Sequence, residues 1–574
     1  MAQLHAIRRR PHVDDGHLAQ PNALIRQLLA RRGVTSEDES LALANLLSPH
    51  TMLGLSEAAA IVTEAIVQQK RILIVGDFDA DGATSTAVCM LALKRMGANN
   101  VDFLIPNRFD YGYGLSPELV TLAHQQHAQL LITVDNGISS ISGVAAARAL
   151  GIDVVVTDHH LPGDALPQAN AIVNPNQHGC PFASKALAGC GVAFYLMSAI
   201  RAKLKQSGWF TMQQPMPNLA ELLDIVALGT VADLVSLDSN NRILVKAGLA
   251  RVRSGRCRPG ILELLTLGKR RPQATVASDF AFAVAPRLNA AGRLDEMALG
   301  VELLLCDDAH QAKRMAAQLD LLNQERRALE QDMQQDALAH LHSLQFGDDN
   351  LPWGLALYDD SWHQGVIGIL ASRLKERYHR PVIAFADGDE HTIKGSARSI
   401  PGLHMRDLLE LINSRHPGML IKFGGHAMAA GLTIAKHDLA QFQQAYLTGI
   451  QDNIDESILT GEILSDGELS AADITLANAQ AIRECGPWGQ AFPEPVFDGE
   501  FYIVSQRIVG ERHLKLVLRS HCGQLDVDGI AFNIDVEHWP DARVSQVRVV
   551  YRLDVNEFRG HQSVQMMVQQ LEKL

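Results

Sequence analysis

Apolar and polar positions change rhythm several times along the chain, and each change marks a different kind of element. LANLLSPHTMLGLSEAAAIVTEAIVQQK (43–70) repeats its apolar residues at spacings of three and four, so the stretch before residue 71 reads as helical, with an N-terminal helical segment over 1–45. From 71 the period changes. ILIV (72–75), VDFLIP (101–106), LLITV (130–134) and DVVVT (153–157) are short apolar runs rich in β-branched residues, separated by helical patterns such as TSTAVCMLALKRMG (84–97) and SPELVTLAHQQHA (116–128). Strands alternating with helices predict an α/β domain with a parallel sheet over 46–305. Residues 218–234 predict a helix running into a loop.

HQAKRMAAQLDLLNQERRALEQDMQQDALAHL (310–341) contains no Gly or Pro and keeps Met315, Leu319, Leu322, Leu329, Met333 and Ala337 at helical spacing. It predicts one long connecting helix within 306–345. A coiled-coil dimer is the competing reading, but Arg326 interrupts the heptad seam, so the chain is read as a monomer. A second α/β domain is expected over 346–464, from WGLALYDD (353–360), GVIGILASRLKERY (365–378), PVIAFA (381–386) and FGGHAMAAGL (423–432). Over 465–574 apolar and polar residues alternate between turn signals, the pattern of an all-β, OB-like barrel. Arg507, Arg512, Lys515, Arg519, Arg548, Arg552 and Arg559 are scattered among its strands.

Composition narrows this picture. The chain has 574 residues, enough for several domains, and its 47% hydrophobic and 20% charged content is that of a packed globular protein. The N-terminus has basic residues without an apolar core, and no apolar run reaches the ~20 residues of a membrane span, which points to a cytoplasmic protein. The seven cysteines are scattered with no C-x-x-C, as expected of reduced thiols; His178, Cys180 and Cys190 lack the paired spacing of a zinc site. The formal charge of −13 argues weakly against nucleic acid, but phosphate contact needs only a local basic groove.

The chemistry lies at the strand ends. GDFDADG (76–82) places Asp77, Asp79 and Asp81 directly after ILIV; LLITV ends on Asp135; DVVVT ends on Asp158, His159 and His160; VADLV adds Asp233. One such segment is as readily a solvated turn or a helix cap. Several on one edge of one sheet call for a divalent cation, because carboxylates this close repel one another and oxygen with imidazole ligands suits Mn²⁺ or a similar ion. No nucleophilic Ser or Cys triad is evident.

GDFDADG, VDNG, TDHH and VADLV, in this order, resemble the four motifs of the DHH phosphoesterase family, and FGGHAMAAGL resembles the Gly-Gly-His motif of its associated domain. IPNRFDYGYGLS (105–116), PRLNAAGRL (286–294), DSWHQGVIGILASRLKE (360–376) and CGPWGQAFPEPVF (485–497) are similar to the branch of that family that degrades single-stranded DNA. The resemblance implies a 5′→3′ exonuclease that hydrolyses single-stranded DNA to mononucleotides by a two-metal-ion mechanism in recombination and repair. Its cofactors would be two divalent ions, Mn²⁺ or Mg²⁺, and its partners a single-stranded-DNA-binding protein and a helicase. A phosphoesterase acting on short oligonucleotides or other small phosphodiesters is the alternative.

By the same resemblance, 46–305 is the DHH catalytic domain and 346–464 the DHH-associated domain. Asp79, Asp81, Asp135, His159 and Asp233 ligate the ions, Asp135 bridging them. His160 faces the scissile phosphate as a ligand, acid or electrophile, and Asp158 orients a histidine. Smaller family members carry His where this chain has Val75, so Asp77 either replaces that ligand or supports the others. Gly424, Gly425 and His426, with Arg108, Arg287, Arg293, Arg373 and Arg398, are the phosphate-binding candidates. Phe109, Tyr111 and Tyr113 are either base-stacking or core residues. Deleting 465–574 is expected to weaken capture of long strands more than chemistry.

Overall fold

The structure is a computed structural model and describes residues 5–107, 114–343, 351–534, 536, 538–558 and 560–574. The candidates Arg108, Phe109, Tyr111, Tyr113 and Arg559 lie outside the described residues.

The chain forms two compact units, one of residues 13–324 with 483–494, the other of the remainder. In the first, β2 (Ile72–Val75), β3 (Val101–Leu104), β4 (Leu130–Val134), β5 (Asp153–Thr157) and β6 (Ala171–Val173) make a wholly parallel sheet in the order β3-β2-β4-β5-β6. β2 and β4 are buried throughout, which is why they read as unbroken apolar runs. Leu73, Val75, Leu131, Val154 and Val156 share one core with Leu119, Val120 and Val144, each such side chain contributing about 1.5–3 kcal/mol on burial. Because the strands are parallel, the segments after β2, β4, β5 and β6 emerge on one edge. The strand order reverses at β2, the place where open α/β sheets bind ligands.

The helix after β2 spans Ala80–Arg95 and begins earlier than its apolar pattern predicts, because Asp79 caps it: the Asp79 side chain accepts from Asp81 N–H and Gly82 N–H. The expected helix before Asp233 is Leu223–Ala232, with Asp233 as its C-cap.

In the second unit, β7 (Leu355–Tyr358), β8 (Val382–Asp387), β9 (Thr392–Arg398), β10 (Leu420–Gly425) and β11 (Ala429–Ala435) form a sheet ordered β10-β11-β9-β8-β7, antiparallel except for the β7–β8 pair. β13 (Phe497–Val509), β14 (His513–Ser520), β15 (Asp526–Ala531), β16 (Gln546–Phe558) and β17 (His561–Lys573) close into the expected barrel in the order β13-β14-β15-β17-β16. Among the described residues no helix is long and apolar enough to cross a membrane.

One expectation needs correction. Within the supposed helical segment 1–45, Ala6–Arg9 is a strand, β1, paired in parallel with β12 (Glu462–Ser465). Arg9 anchors it through Asp498 at 2.7 Å. Four residues reading AIRR carry no period of their own, and the partner that makes them a strand lies hundreds of positions away. Within the stretch expected as the OB-like domain, residues 483–494 pack with the first unit. The long helix runs from Ala309 to Ser343; its residues up to 324 belong to the first unit and the rest to the second. Arg326, the residue that breaks its heptads, is buried against Glu330.

Candidate metal centre

The segments leaving β2, β4 and β5 bring their acids together as the parallel sheet requires. Three overlapping groups of side chains have ligand atoms within 4.8 Å of one another: Asp77, Asp79 and Asp135; Asp81, His159 and Asp233; and Asp135, His159 and His160. His159 Nε2 stands 3.1 Å from Asp135 Oδ1, 3.4 Å from Asp233 Oδ2 and 3.9 Å from Asp81 Oδ2. Asp135 is common to two groups, and it holds a left-handed backbone at φ 60°, a conformation that costs an L-residue free energy and recurs at functional sites.

The electrostatics suit a cation. Asp81, Asp135 and Asp233 are all held above the ordinary carboxylate range, first by burial and then by neighbouring charge. For Asp135 and Asp233 those neighbours are the other acids of the cluster; for Asp81, His159 opposes the shift and Asp79 adds to it. Burial also lowers the pKa of His159, favouring the neutral imidazole that ligates metals. Neither His159 Nε2 nor Asp233 Oδ2, both buried, makes a hydrogen bond. Buried oxygen and nitrogen lone pairs with mutual repulsion and no donor fit divalent cations.

Several members of the cluster are held by groups outside it. Both oxygens of Asp81 accept backbone N–H bonds at the start of the helix Gly189–Gln206, from Gly189 at 2.7 Å and Cys190 at 3.0 Å. Asn289, in the helix Ala285–Leu294, accepts from Ala80 N–H at 2.8 Å. Gly292 of that helix lies so close that an added Cβ would sit 1.7 Å from Phe78 O. Asp158 Oδ2 accepts from Ile138 N–H at 2.9 Å, and Oδ1 accepts from His160 Nδ1 at 2.7 Å. A carboxylate only accepts, so His160 Nδ1 carries the proton in that bond. Burial pulls the His160 pKa down, but the Asp158 bond and charge outweigh it and the net shift is upward; Asp158, opposed by burial, is lowered by the same bond. Asn174 and Asn176, just beyond β6, donate to the carbonyls of His160 and His159.

Sequence reasoning missed Asn174, Asn176 and Asn289. Reading NPN (174–176) after AIV as a fourth strand end would have found the first two; Asn289 inside a helix has no local signal.

The arginines divide. Arg287 is buried and committed to Asp320 at 2.7 Å and to the carbonyl of Ala283. Arg373 is held by Glu330 at 2.9 Å and Glu376 at 3.3 Å. Both guanidinium groups thus have a carboxylate partner, Arg287 in a buried pair and Arg373 in a half-exposed one. Arg293 is half-buried in the last turn of its helix. Arg398 differs: its guanidinium bonds Ser372 Oγ, Ser396 Oγ and Ala397 O, and no described carboxylate pairs with it. Its residue pairs across β9–β11 with Ala429, and β11 pairs in turn with β10, which ends on Gly424 and Gly425. Gly424 and His426 are exposed.

All seven cysteines are free, and among the described residues none joins a metal-capable group.

Three domain families match in order: the DHH family N-terminal domain over 71–230, the DHHA1 domain over 353–451 and the RecJ OB domain over 465–570. The chain is 54% identical to the single-stranded-DNA-specific exonuclease RecJ of Dickeya dadantii over 567 residues, covering 98% of each. It is 54% identical to that of Escherichia coli, covering 99% of each. The crystal structure of RecJ in complex with Mn²⁺ from Thermus thermophilus is similar over 99% of this chain and 80% of that one, at 30% identity and a TM-score of 0.78. The chain belongs to the RecJ family, a branch of the DHH family.

Proposed function

We propose that the protein is a metal-dependent exonuclease that removes mononucleotides from the 5′ end of single-stranded DNA, in recombination and repair. The observation that carries this reading is the buried cluster of Asp77, Asp79, Asp81, Asp135, His159 and Asp233 on one sheet edge, in a chain aligned end to end with proteins named for that activity. Asp79, Asp81, Asp135, His159 and Asp233 would hold two divalent ions, Mn²⁺ or Mg²⁺, with Asp135 between them. Asp77, grouped with Asp79 and Asp135, is read as a further ligand in place of the missing histidine. Such ions supply activation of water and neutralisation of phosphate charge.

The protein's own groups do the rest. Asp158 fixes the His160 ring through Nδ1, and His160 would face the scissile phosphate as a ligand or as a donor to an oxygen gaining charge. Arg398, with Gly424, Gly425 and His426, offers donors to a strand phosphate. On the barrel, Tyr502 stacks on His521 and exposed Phe532 meets His513 edge-on, and Arg507 and Arg512 are exposed without an ion pair among the described residues. Stacking surfaces beside free guanidinium groups suit single strands of any sequence. A single-stranded-DNA-binding protein and a helicase would supply the substrate.

The test is digestion of single strands labelled at either end, with and without Mn²⁺. Metal-dependent release of labelled mononucleotide from the 5′ end first is expected. Release from the 3′ end first would reverse the polarity, and preference for dinucleotides over long strands would favour the small-substrate alternative.

A further inference from the structure

Residues 483–494 lie in sequence between the helix Leu476–Cys485 and the barrel, yet pack with the unit that carries the acidic cluster. Their packing is specific. Trp488 and Phe492 stack with centroids 5.1 Å apart and planes 12° from parallel, and a bridge between Gly489 and Phe492 folds the segment back on itself. The guanidinium of Arg32 lies 5.2 Å from the Trp488 ring, and Arg32 Nε donates to Pro493 O at 2.7 Å. The guanidinium of Arg242 lies 3.9 Å from the Phe492 ring. Arg242 is only 4% exposed, its Nε makes no hydrogen bond and no described carboxylate pairs with it, so the ring face is the favourable contact for its charge.

The fold-back grips one loop. Leu237 N–H donates to Gln490 O at 2.8 Å, the Leu237 side chain is buried, and a Cβ on Gly489 would lie 2.7 Å from Leu237 Cδ1. That loop starts at Asp233 and contains Leu234 in a left-handed conformation at φ 58°. Its far end is tied by Ser184 Oγ, which donates to Asp238 Oδ2 at 2.6 Å, and by Asn241 Nδ2, which donates to Ser236 O at 2.9 Å. Gln490 O is the tie that comes from the far end of the chain.

We propose that residues 488–492 are positioning residues of the metal centre: by clamping Leu237 they hold the loop that presents Asp233. The inference rests on Asp233 being a metal ligand. It also revises the expected effect of deleting 465–574, because that deletion removes part of the scaffold of the acidic cluster along with the barrel.

The test uses the full chain carrying Trp488→Ala with Phe492→Ala, beside Trp488→Phe, which keeps an aromatic face. Two readouts avoid turnover: hydrogen exchange over 234–240 in metal-free protein, and calorimetric titration with Mn²⁺. The double variant should exchange faster over 234–240 while the peptides of β2 and β4 keep their protection, and should bind Mn²⁺ about 10–100-fold more weakly, as when a group supporting a ligand is lost. Trp488→Phe should restore most of both. If the double variant loses cooperative melting, Gly489→Ala presses a methyl group against Leu237 with the stack intact and should shift both readouts the same way. Unchanged Mn²⁺ affinity in a folded strap variant, beside a clear loss for Asp233→Asn, overturns the proposal. Unchanged affinity in Asp233→Asn itself overturns the ligand reading beneath it, and the proposal with it.

Discussion

At the carboxyl edge of the parallel sheet, Asp77, Asp79, Asp81, Asp135 and Asp233 converge with His159, and the acids raise one another's pKa values. On the barrel the opposite holds. Lys515 meets Asp528 at 3.0 Å, Arg519 meets Asp526 at 2.7 Å, and Arg548 meets Glu500 at 2.9 Å. The sheet edge is a cluster of like charges that a divalent ion stabilises, so metal binding there is also folding free energy. The barrel is nearly complete in itself. Whatever it binds must use stacking and the few unpaired guanidinium groups, since a matched pair has little field to offer a phosphate. The same contrast separates Arg398 from Arg287 and Arg373 in the rest of the chain.

The largest effect should come from removing a member of the acidic cluster. Asp81→Ala or Asp135→Ala should lower nuclease turnover on the order of 10³-fold or more, comparable to losing a main transition-state stabiliser, while single-strand binding largely survives. Initial rates and a binding titration on the same oligonucleotide decide it. Near wild-type turnover in a folded variant would end the metal-site assignment.

A smaller loss is expected one layer out. Asn176→Ala or Asn289→Ala should weaken Mn²⁺ binding or turnover by about 10–100-fold, because each holds the backbone that carries a ligand. Equal activity would mean that the sheet alone fixes the geometry.

Proton linkage sharpens the contrast without mutation. Asp81, Asp135 and Asp233 have folded pKa values above the unfolded value of about 3.9, so without metal the folded state binds more protons than the unfolded one. Their contribution to stability is therefore fully present below about pH 4 and is lost as pH rises through the raised values. Bound Mn²⁺ replaces those protons, so the gain in melting temperature on adding Mn²⁺ should grow from pH 5 to pH 8. A gain independent of pH would show that the cluster is not the binding site.

The smallest effects belong to the barrel. Phe532→Ala should weaken binding of a long single strand by about 1–3 kcal/mol, the worth of one stacked base, with little change in turnover on a very short one. Arg519→Ala, which breaks a matched surface pair, should leave binding within error. A larger effect for Arg519 than for Phe532 would mean that the paired face is the one that meets DNA.

Much of this molecule is legible one segment at a time. ILIV, LLITV and DVVVT are strands as read, because a buried parallel strand must be apolar on both faces and stops where charge begins. The residue that ends the run is then the residue delivered to the edge, which is why Asp77, Asp135, Asp158, His159 and His160 could be located from the sequence. Alternation between turns likewise specified the barrel.

Tertiary structure decided who meets whom. No window of sequence pairs Asp81 with the amides of Gly189 and Cys190, commits Arg287 to Asp320 and Arg373 to Glu330, makes a strand of Ala6–Arg9, or sends residues 483–494 to clamp Leu237. Periodicity is a local property of the backbone, with every neighbour a few residues away. The partner of a charged or aromatic side chain is set by which distant surfaces come together and exclude water, and that is a property of the whole packed chain.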